Sequence, residues 1–332
     1  MRPALAPILA LPLVLGLAPS AAARRSPAQE HGAQEAQRPP VYDEKADAGK
    51  DIAAALARAQ KDNKRVLIQW GANWCGWCKL LHDTFTSNAE VKKELLYEYE
   101  VVYVDVGKMD KNMELAARYG AELKGIPFLT VLDGKGQVLA NQETGSLEEG
   151  KAHDPKKVLA FLAQHRAEYQ DAQQLLAGAK AAAAKDGKRV FVHFGAPWCP
   201  WCHRLEAWLE RPAVKALLAK DFVELKLDVD RTKGGKEILA GLRGGEEGGI
   251  PWFAFLDGDK VLAHSGAAAD NLGCPWKDEE IEQFGKLLTA AAKSLKPEDV
   301  AALQADLRAF RKESEDAAKA KAAQGSASGS AG

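Results

Sequence analysis

Short apolar runs of strand length alternate with helical patterns along most of the chain. Residues 66–68 and 190–192 are continuous apolar runs, and each follows an alanine-rich helical stretch, at residues 51–60 and 169–184. A short apolar run bounded by polar residues is typical of a buried strand. We therefore predict a helix and then a buried strand at the start of each half of the chain.

The same order of elements continues after each of these strands. A helical pattern comes next, then a second strand pattern, and then two strand patterns that flank an Asp-Gly dipeptide, which indicates a hairpin. The predicted segments in the two halves are helices 79–97 and 203–220, strands 101–106 and 223–229, and hairpin strands 128–132, 138–140, 252–256 and 261–263.

A helix closes each half. In the first half, Asp154 and Pro155 have the residue types of a helix N-cap and a first helical position. In the second half, the helical pattern covers residues 278–293. Each half is therefore predicted to begin and end with a helix.

The C-terminal segment, residues 296–332, has two parts. A helix that begins at Pro297 has Val300 and Leu303 on its apolar face, so we expect it to dock on the second half, with binding to a partner as the alternative. From about Ala317 the Ala, Lys, Gly and Ser composition predicts a disordered tail.

The two halves are copies of one another. The run Lys61-Asp62-Asn63-Lys64-Arg65 recurs as Lys185-Asp186-Gly187-Lys188-Arg189, and 124 residues also separate Trp74 from Trp198, Cys75 from Cys199 and Pro127 from Pro251. A fixed period of this kind indicates a tandem duplication. We place the first domain at residues 43–166 and the second at residues 167–295.

The first 23 residues have the pattern of an export signal. Arg2 provides a positive start, residues 4–18 are apolar, and the alanines at 21–23 offer a small-residue cleavage site. We expect an exported protein, periplasmic or secreted, with an uncleaved membrane anchor as the alternative that the prolines of this segment disfavour. The polar residues 24–42 are predicted to form a flexible linker.

Charge and composition exclude several classes of protein. Apolar residues make up 46% and charged residues 27% of the 332 residues, which is globular usage and excludes wholesale disorder, collagen and coiled coil. The 45 Lys and Arg nearly balance the 46 Asp and Glu, giving a net charge of -1. That charge offers no electrostatic capture of nucleic acid, and we predict no nucleic-acid partner.

Four of the five cysteines lie in two pairs of identical spacing. Each pair directly follows a predicted buried strand, precedes a predicted helix, and is followed some fifty residues later by an Ile-Pro dipeptide. The residues are Trp74-Cys75-Gly76-Trp77-Cys78 with Ile126-Pro127, and Trp198-Cys199-Pro200-Trp201-Cys202 with Ile250-Pro251.

These motifs resemble those of the thioredoxin family over nearly all of residues 43–295. The resemblance implies an α/β fold of two tandem thioredoxin-like domains, each with a central mixed β-sheet flanked by helices, and cis Ile-Pro bonds facing the cysteines. It also implies a thiol-disulfide oxidoreductase that acts on protein substrates with cysteines or disulfides and exchanges electrons with a membrane-linked or exported redox partner. No cofactor is implied.

The chemistry of the cysteines agrees with this resemblance. Cys75 and Cys199 stand where a strand ends and a helix begins, where free backbone N–H groups and the helix dipole favour a thiolate. We expect these two to be the nucleophiles. Cys78 and Cys202, one helical turn later, are then the resolving thiols that attack the mixed disulfide.

Residues near the cysteines are candidates for substrate binding. Trp77 and Trp201 stand between two reactive cysteines, so we expect them at the surface in contact with substrate polypeptide. The backbones of Ile126-Pro127 and Ile250-Pro251 are expected to pair with a substrate strand. Trp74 and Trp198 are instead expected to pack over the helix starts, with direct contact to substrate as the alternative.

The chain departs from the family at one polar position. The resemblance implies a buried aspartate six residues before the nucleophile, with a lysine partner, to deprotonate the resolving thiol. Here Gln69 and His193 stand at that position, and Tyr103 and Lys226 align with the lysine. Gln69 cannot take a proton, and for His193 we favour a structural core role over a role as base.

Other interpretations of the cysteines remain open at this point. A binding or chaperone module with structural disulfides would have the same fold. Residues 199–203 also match a c-type haem attachment pattern, and the two pairs together could hold zinc. The fifth cysteine, Cys274, is expected to be a free or intermolecularly paired thiol, with a third redox cysteine as the alternative. Reduction, oxidation and isomerisation are not distinguished.

Overall fold

A computed structural model of the chain describes residues 39–266 and 270–329. The predicted export signal and residues 24–38 of the predicted linker lie outside the described residues. Within the described ranges, no helix is both long enough and apolar enough to cross a membrane.

The first domain is built from a repeated strand and helix order. Its elements are α1 (Ala48–Lys61), β1 (Arg65–Gly71), α2 (Gly76–Ser87), α3 (Ala89–Glu98), β2 (Tyr99–Asp105), α4 (Met113–Arg118), β3 (Phe128–Leu132), β4 (Val138–Glu143), a 3-10 turn (Thr144–Leu147), β5 (Glu148–Glu149), β6 (Ala152–His153) and α5 (Pro155–His165).

Among the residues that the structure describes, the second domain repeats this order without the 3-10 turn and the small β5–β6 hairpin. Its elements are α6 (Ala172–Lys185), β7 (Arg189–Gly195), α7 (Pro200–Leu209), α8 (Pro212–Leu218), β8 (Phe222–Asp228), α9 (Gly235–Leu242), β9 (Trp252–Asp257), β10 (Lys260–His264) and α10 (Asp278–Ala291). A last helix, α11 (Pro297–Gly329), follows it.

The two sheets have the same mixed topology. In the first domain the strand order is β2-β1-β3-β4, and in the second it is β8-β7-β9-β10. The central strand of each sheet pairs in parallel with one neighbour and antiparallel with the other. The predicted α/β class, with two mixed sheets flanked by helices, is confirmed.

Helices cover both faces of each sheet, and so the side chains of the central strands are buried. In β1, Val66 and Ile68 face the cluster that contains Ile52 of α1, whereas Leu67 faces the cluster that contains Leu81 of α2. Alternate side chains of a strand point to opposite faces, so a continuous apolar run suits a strand covered on both sides.

Each long helix predicted after a cysteine pair is two helices in the structure. In the first domain, the break between the two helices lies at Asn88, whose side chain accepts hydrogen bonds from the N–H groups of Glu90 and Val91 and caps α3. In the second domain, the break lies at Arg211, directly before Pro212 in the first turn of α8. Asparagine at an N-cap and proline at a first helical position both mark helix starts.

The final helix docks on the second domain, as predicted. Leu303 and Leu307 are fully buried in the cluster that contains Phe284 of α10. The helix continues to Gly329, whereas the composition predicted disorder from about Ala317. Alanine and lysine have high helix propensity, which accounts for the continuation.

The domains contact each other through a buried ion pair. The Arg231 guanidinium of the second domain lies 3.1 Å from the Glu98 carboxylate of the first, and both side chains are buried. Arg231 also donates to the backbone carbonyl oxygens of Asp62, at 2.7 Å, and Asn63, at 2.8 Å. The segment between α1 and β1 is therefore fixed against the end of β8.

Candidate active sites

Each cysteine pair begins a helix that follows the central strand. Cys75 is the N-cap of α2 and Cys199 is the N-cap of α7. The N–H of Cys78 donates to the Cys75 sulfur at 3.1 Å, and the N–H of Cys202 donates to the Cys199 sulfur at 3.2 Å. Both pairs are disulfide-bonded in this structure.

The two Ile-Pro peptide bonds are cis and face the cysteines. The Cys75 sulfur lies 3.6 Å from the Ile126 carbonyl oxygen, and the Cys199 sulfur lies 3.6 Å from that of Ile250. Pro127 and Pro251 are buried, and the isoleucines are half-buried. The fold thus brings together residues that are some fifty positions apart, as the resemblance implied.

Trp74 and Trp198 are placed differently from the prediction. Trp74 is 61% and Trp198 is 54% exposed, so these two do not pack over the helix starts. Their indole nitrogens donate to the Gly107 carbonyl oxygen and to the Asp230 carboxylate, at 2.7 and 2.8 Å. A hydrogen bond of this kind holds the ring at the surface, where its faces remain open.

Trp201 forms one wall of a groove at the second site. Its ring is 43% exposed and lies edge to face with Trp276, and the Arg204 guanidinium contacts both rings, 4.4 and 4.8 Å from their centres. The groove has a volume of about 300 Å³, and Pro251 and Leu272 also line it. Its apolar lining suits an extended polypeptide.

Trp77 at the first site is only half-buried and packs against His153 of β6. The two rings meet edge to face with centres 5.5 Å apart. His153 is buried, and neither ring nitrogen has a hydrogen-bond partner among the described residues. Burial lowers the pKa of His153 to about 4. The β5–β6 hairpin thus gives the first site a wall that the second site lacks.

A phenol lies behind Cys78 in the first site. Tyr42 is buried beside Cys78, and its hydroxyl accepts a hydrogen bond of 2.6 Å from the Gln69 amide, which also donates to the Cys78 carbonyl oxygen. The sequence placed Tyr42 in the flexible linker, and the structure instead places it in this cluster. Burial raises the pKa of Tyr42, so the group stays neutral.

A carboxylate lies behind Cys202 in the second site. A Cβ added to Gly195 would lie 3.3 Å from Glu206 Oε1 and 3.4 Å from Cys202 Sγ, so carboxylate and sulfur face the same small space. The Lys226 amine donates to Glu206 Oε2 at 2.8 Å. Burial raises the pKa of Glu206, but His203 and the closer Lys226 outweigh it and hold the pKa at about 2.

The polar residues identified from the family pattern have structural partners. Gln69 pairs in register with Tyr103, and His193 pairs with Lys226, as the alignment predicted. His193 is buried and lies 3.0 Å from the Glu224 carboxylate, which agrees with the core role favoured for it.

Sequence reasoning missed Glu206, Tyr42 and His153. Glu206 could have been found, because a residue four positions after Cys202 lies on the same face of α7. No comparable spacing marks Tyr42 or His153, which reach the first site from outside the repeated motif.

The fifth cysteine lies in the interior of the second domain. Cys274 is a buried free thiol, and burial raises its pKa to about 12.

The zinc interpretation requires side chains grouped around one point. Among the residues that the structure describes, no group of three or more His, Cys, Asp or Glu side chains is placed to hold a metal ion.

Comparison with known proteins gives two matches to one family. A family model described as thioredoxin-like matches residues 47–134 and again residues 171–258. The two matched segments contain both cysteine pairs and both Ile-Pro dipeptides.

Individual relatives each match part of the chain. Protein disulfide-isomerase erp38 of Neurospora crassa is 27% identical over 179 residues, which are 53% of this chain and 47% of that protein. Thioredoxin of Mycoplasmoides gallisepticum is 36% identical over 83 residues, which are 25% of this chain and 74% of that protein. The solved disulphide isomerase of Xylella fastidiosa Temecula1 is 32% identical, covering 38% of this chain and 96% of its own, with a TM-score of 0.36. The chain spans about half the length of the protein disulfide-isomerases that it matches.

Proposed function

Because the chain belongs to the thioredoxin-like family, which its two halves match separately, we propose that it is a protein thiol-disulfide oxidoreductase with two active sites. The observation that carries this proposal is the placement of Cys75 and Cys199 at helix N-termini opposite cis Ile-Pro bonds. Relatives named protein disulfide-isomerases support protein substrates.

The two cysteines of each site form and break every sulfur–sulfur bond of the exchange. In the reduced second site, the Cys199 thiolate attacks a substrate disulfide and forms a mixed disulfide, releasing one substrate thiolate. Cys202 then attacks the Cys199 sulfur and releases the second substrate thiolate. The substrate disulfide is reduced to two thiols, and the site is left with the disulfide present in this structure. An external dithiol must reduce the site again, and the reverse sequence forms a disulfide.

The second step needs a proton acceptor for Cys202. Glu206 faces the Cys202 sulfur, has an ionised carboxylate, and is held by Lys226. It supplies at the second site the carboxylate that the family pattern has on the central strand. The first site has a neutral phenol and an amide around Cys78, so resolution there is expected to be slower.

We also propose that the protein acts outside the cytoplasm, periplasmic or secreted, with a membrane-linked or exported dithiol partner. The export pattern of residues 1–23 supports this location. Fractionation of cells that express the full chain, with N-terminal sequencing of the product, tests it. A product that retains Met1 in the cytoplasmic fraction would contradict the proposal.

Reduction of insulin disulfides by dithiothreitol tests the activity. We expect the full chain to accelerate the reaction, Cys75→Ser and Cys199→Ser each to lower the rate, and the double variant to fall to the uncatalysed rate. Activity retained in the double variant would contradict the enzyme proposal. The alternative of a binding module with structural disulfides would then be favoured.

A further inference from the structure

The first domain contributes a charged group to the second active site. Asp62, the C-cap of α1, accepts a hydrogen bond of 2.9 Å from the Lys226 amine. The same amine donates to Glu206 Oε2 at 2.8 Å. Lys226 is half-buried, so its charge is shared between a carboxylate of the first domain and the carboxylate that faces Cys202.

The position of Asp62 is fixed by the contact between the domains. Arg231, which is buried, donates to the carbonyl oxygens of Asp62 and Asn63 and pairs with Glu98. A surface carboxylate on a flexible chain would lose its partner to solvent. Here the backbone on both sides of the Asp62 side chain is held, so the side chain stays opposite Lys226.

A second contact joins the first domain to the residue before the nucleophile. The Tyr97 hydroxyl of α3 lies 3.3 Å from Asp230 Oδ2, and the Trp198 indole nitrogen donates to the same oxygen at 2.8 Å. In addition, one crevice is lined both by Asp62 and by Pro197 and His203, which flank the second site.

Within the described part of the chain, the first active site has no matching arrangement. Tyr103 takes the position of Lys226, and His82 takes that of Glu206, with the two rings 5.4 Å apart. Asp186, the counterpart of Asp62 in the second domain, is exposed and makes no ion pair within the described ranges. The coupling therefore runs in one direction, from the first domain to the second site.

We propose that Asp62 is a positioning residue of the second active site, through which the first domain sets the proton affinity of Cys202. The role of Asp62 in turnover rests on the proposed function, because only in that function does Cys202 react. Asp62 acts through Lys226 and Glu206, and itself contacts neither cysteine nor substrate.

Charge balance gives the direction of the effect. Asp62, Lys226 and Glu206 together carry one net negative charge, which opposes a second negative charge on Cys202. Replacing Asp62 by asparagine makes the trio neutral and so favours the Cys202 thiolate. The charged groups that face Glu206 are Lys226 of β8, His203 of α7 and His193 of β7. Around Lys226 lie, in addition, Asp228 of β8 and Asp62 and Lys64 before β1, and Arg231 after β8 lies beside Lys64 and Asp228.

Titration of a single thiol in the full chain tests the proposal. Cys75, Cys78, Cys199 and Cys274 are replaced by serine, which leaves Cys202 as the single thiol, and the ultraviolet absorbance of its thiolate is followed against pH. Adding Asp62→Asn is expected to lower the pKa of Cys202 by about half a unit or more, a threefold or larger rise in thiolate fraction below the pKa. Asp62→Glu should restore the original titration.

The matched control is Asp186→Asn in the same background, which should leave the titration unchanged. The proposal is overturned if Asp62→Asn gives the same curve as Asp186→Asn, or if Asp62→Glu shifts the curve as far as Asp62→Asn. Thiol titration requires no turnover, so this result is independent of the insulin assay, and failure of either leaves the other interpretable.

Discussion

Two glycines at the ends of the central strands decide what lies behind each resolving cysteine. A Cβ on Gly71 would lie 2.1 Å from the Tyr42 hydroxyl oxygen and 2.9 Å from the Cys78 sulfur. At Gly195 the corresponding space is shared by Cys202 and Glu206. The duplicated motif is thus equipped with a neutral phenol in one copy and an ionised carboxylate in the other, and we expect the two sites to differ in the resolving step.

We predict that Glu206→Gln slows release of substrate from the mixed disulfide at the second site by about tenfold, because the amide cannot accept a proton from Cys202. The effect is smaller than that of a base with a pKa near neutrality, since the carboxylate has a pKa of about 2 and its removal also takes away a negative charge that opposes the Cys202 thiolate. Single-turnover kinetics in a chain with Cys75→Ser and Cys78→Ser measure this step. Glu210→Gln, an exposed position on the turn that follows α7, is the control. Equal rates for the two variants would show that the carboxylate takes no part.

His153 gives the protein a sensitivity to acid. Its pKa is lowered from 6.5 to about 4 in the folded state, so the unfolded chain takes the proton first. The stability that the neutral His153 side chain contributes is therefore fully present above about pH 6.5 and is lost as the pH falls from there toward 4. We predict that His153→Phe removes about 2 kcal/mol of this loss at pH 5, measured by urea unfolding at pH 5 and pH 7. His264→Gln, an exposed position, should leave the loss in place.

At the scale of elements, α11 contributes the outer layer of the second domain's core. Leu303 and Leu307 are fully buried against α10. We predict that Leu303→Ala lowers the free energy of unfolding by about 3 kcal/mol, since it leaves a cavity, whereas Lys312→Ala, on the exposed side, changes it by less than about 0.5 kcal/mol. Urea unfolding followed by circular dichroism measures both, and a similar effect of the two would indicate that the helix is undocked in solution.

The elements themselves were predictable where their signals are local. The central strands, the hairpins and the helix start at Asp154 follow from apolar runs, Asp-Gly turns and an N-cap with proline. The short helix α4 was missed, because Asn112 caps it in a left-handed conformation and its six residues show too little periodicity. Tyr42 was misplaced since its burial depends on a space left by Gly71, which no local pattern encodes.

At the scale of the whole molecule, one buried arginine joins the domains. Arg231 pairs with the Glu98 carboxylate and donates to two backbone carbonyl oxygens of the first domain, and its loss would leave the buried Glu98 carboxylate with a hydrogen bond from Tyr169 but without a countercharge. We predict that Arg231→Met lowers the free energy of unfolding by about 3 kcal/mol and separates a single cooperative unfolding transition into two, one for each domain. Calorimetry of the full chain measures this, with the exposed pair variant Lys180→Ala as control. A single unfolding transition in both variants would show that contacts other than that of Arg231 couple the two domains.

The unlike polar residues at the centres of the two sheets have a consequence for biogenesis. Neighbouring domains of related sequence are prone to exchange strands while they fold. If β7 replaced β1 in the first sheet, His193 would lie opposite Tyr103, without the Glu224 carboxylate that it contacts in its own sheet. A buried histidine without a partner penalises the exchanged topology. Divergence at these few positions thus guards a duplicated chain against assembling with the wrong half of itself.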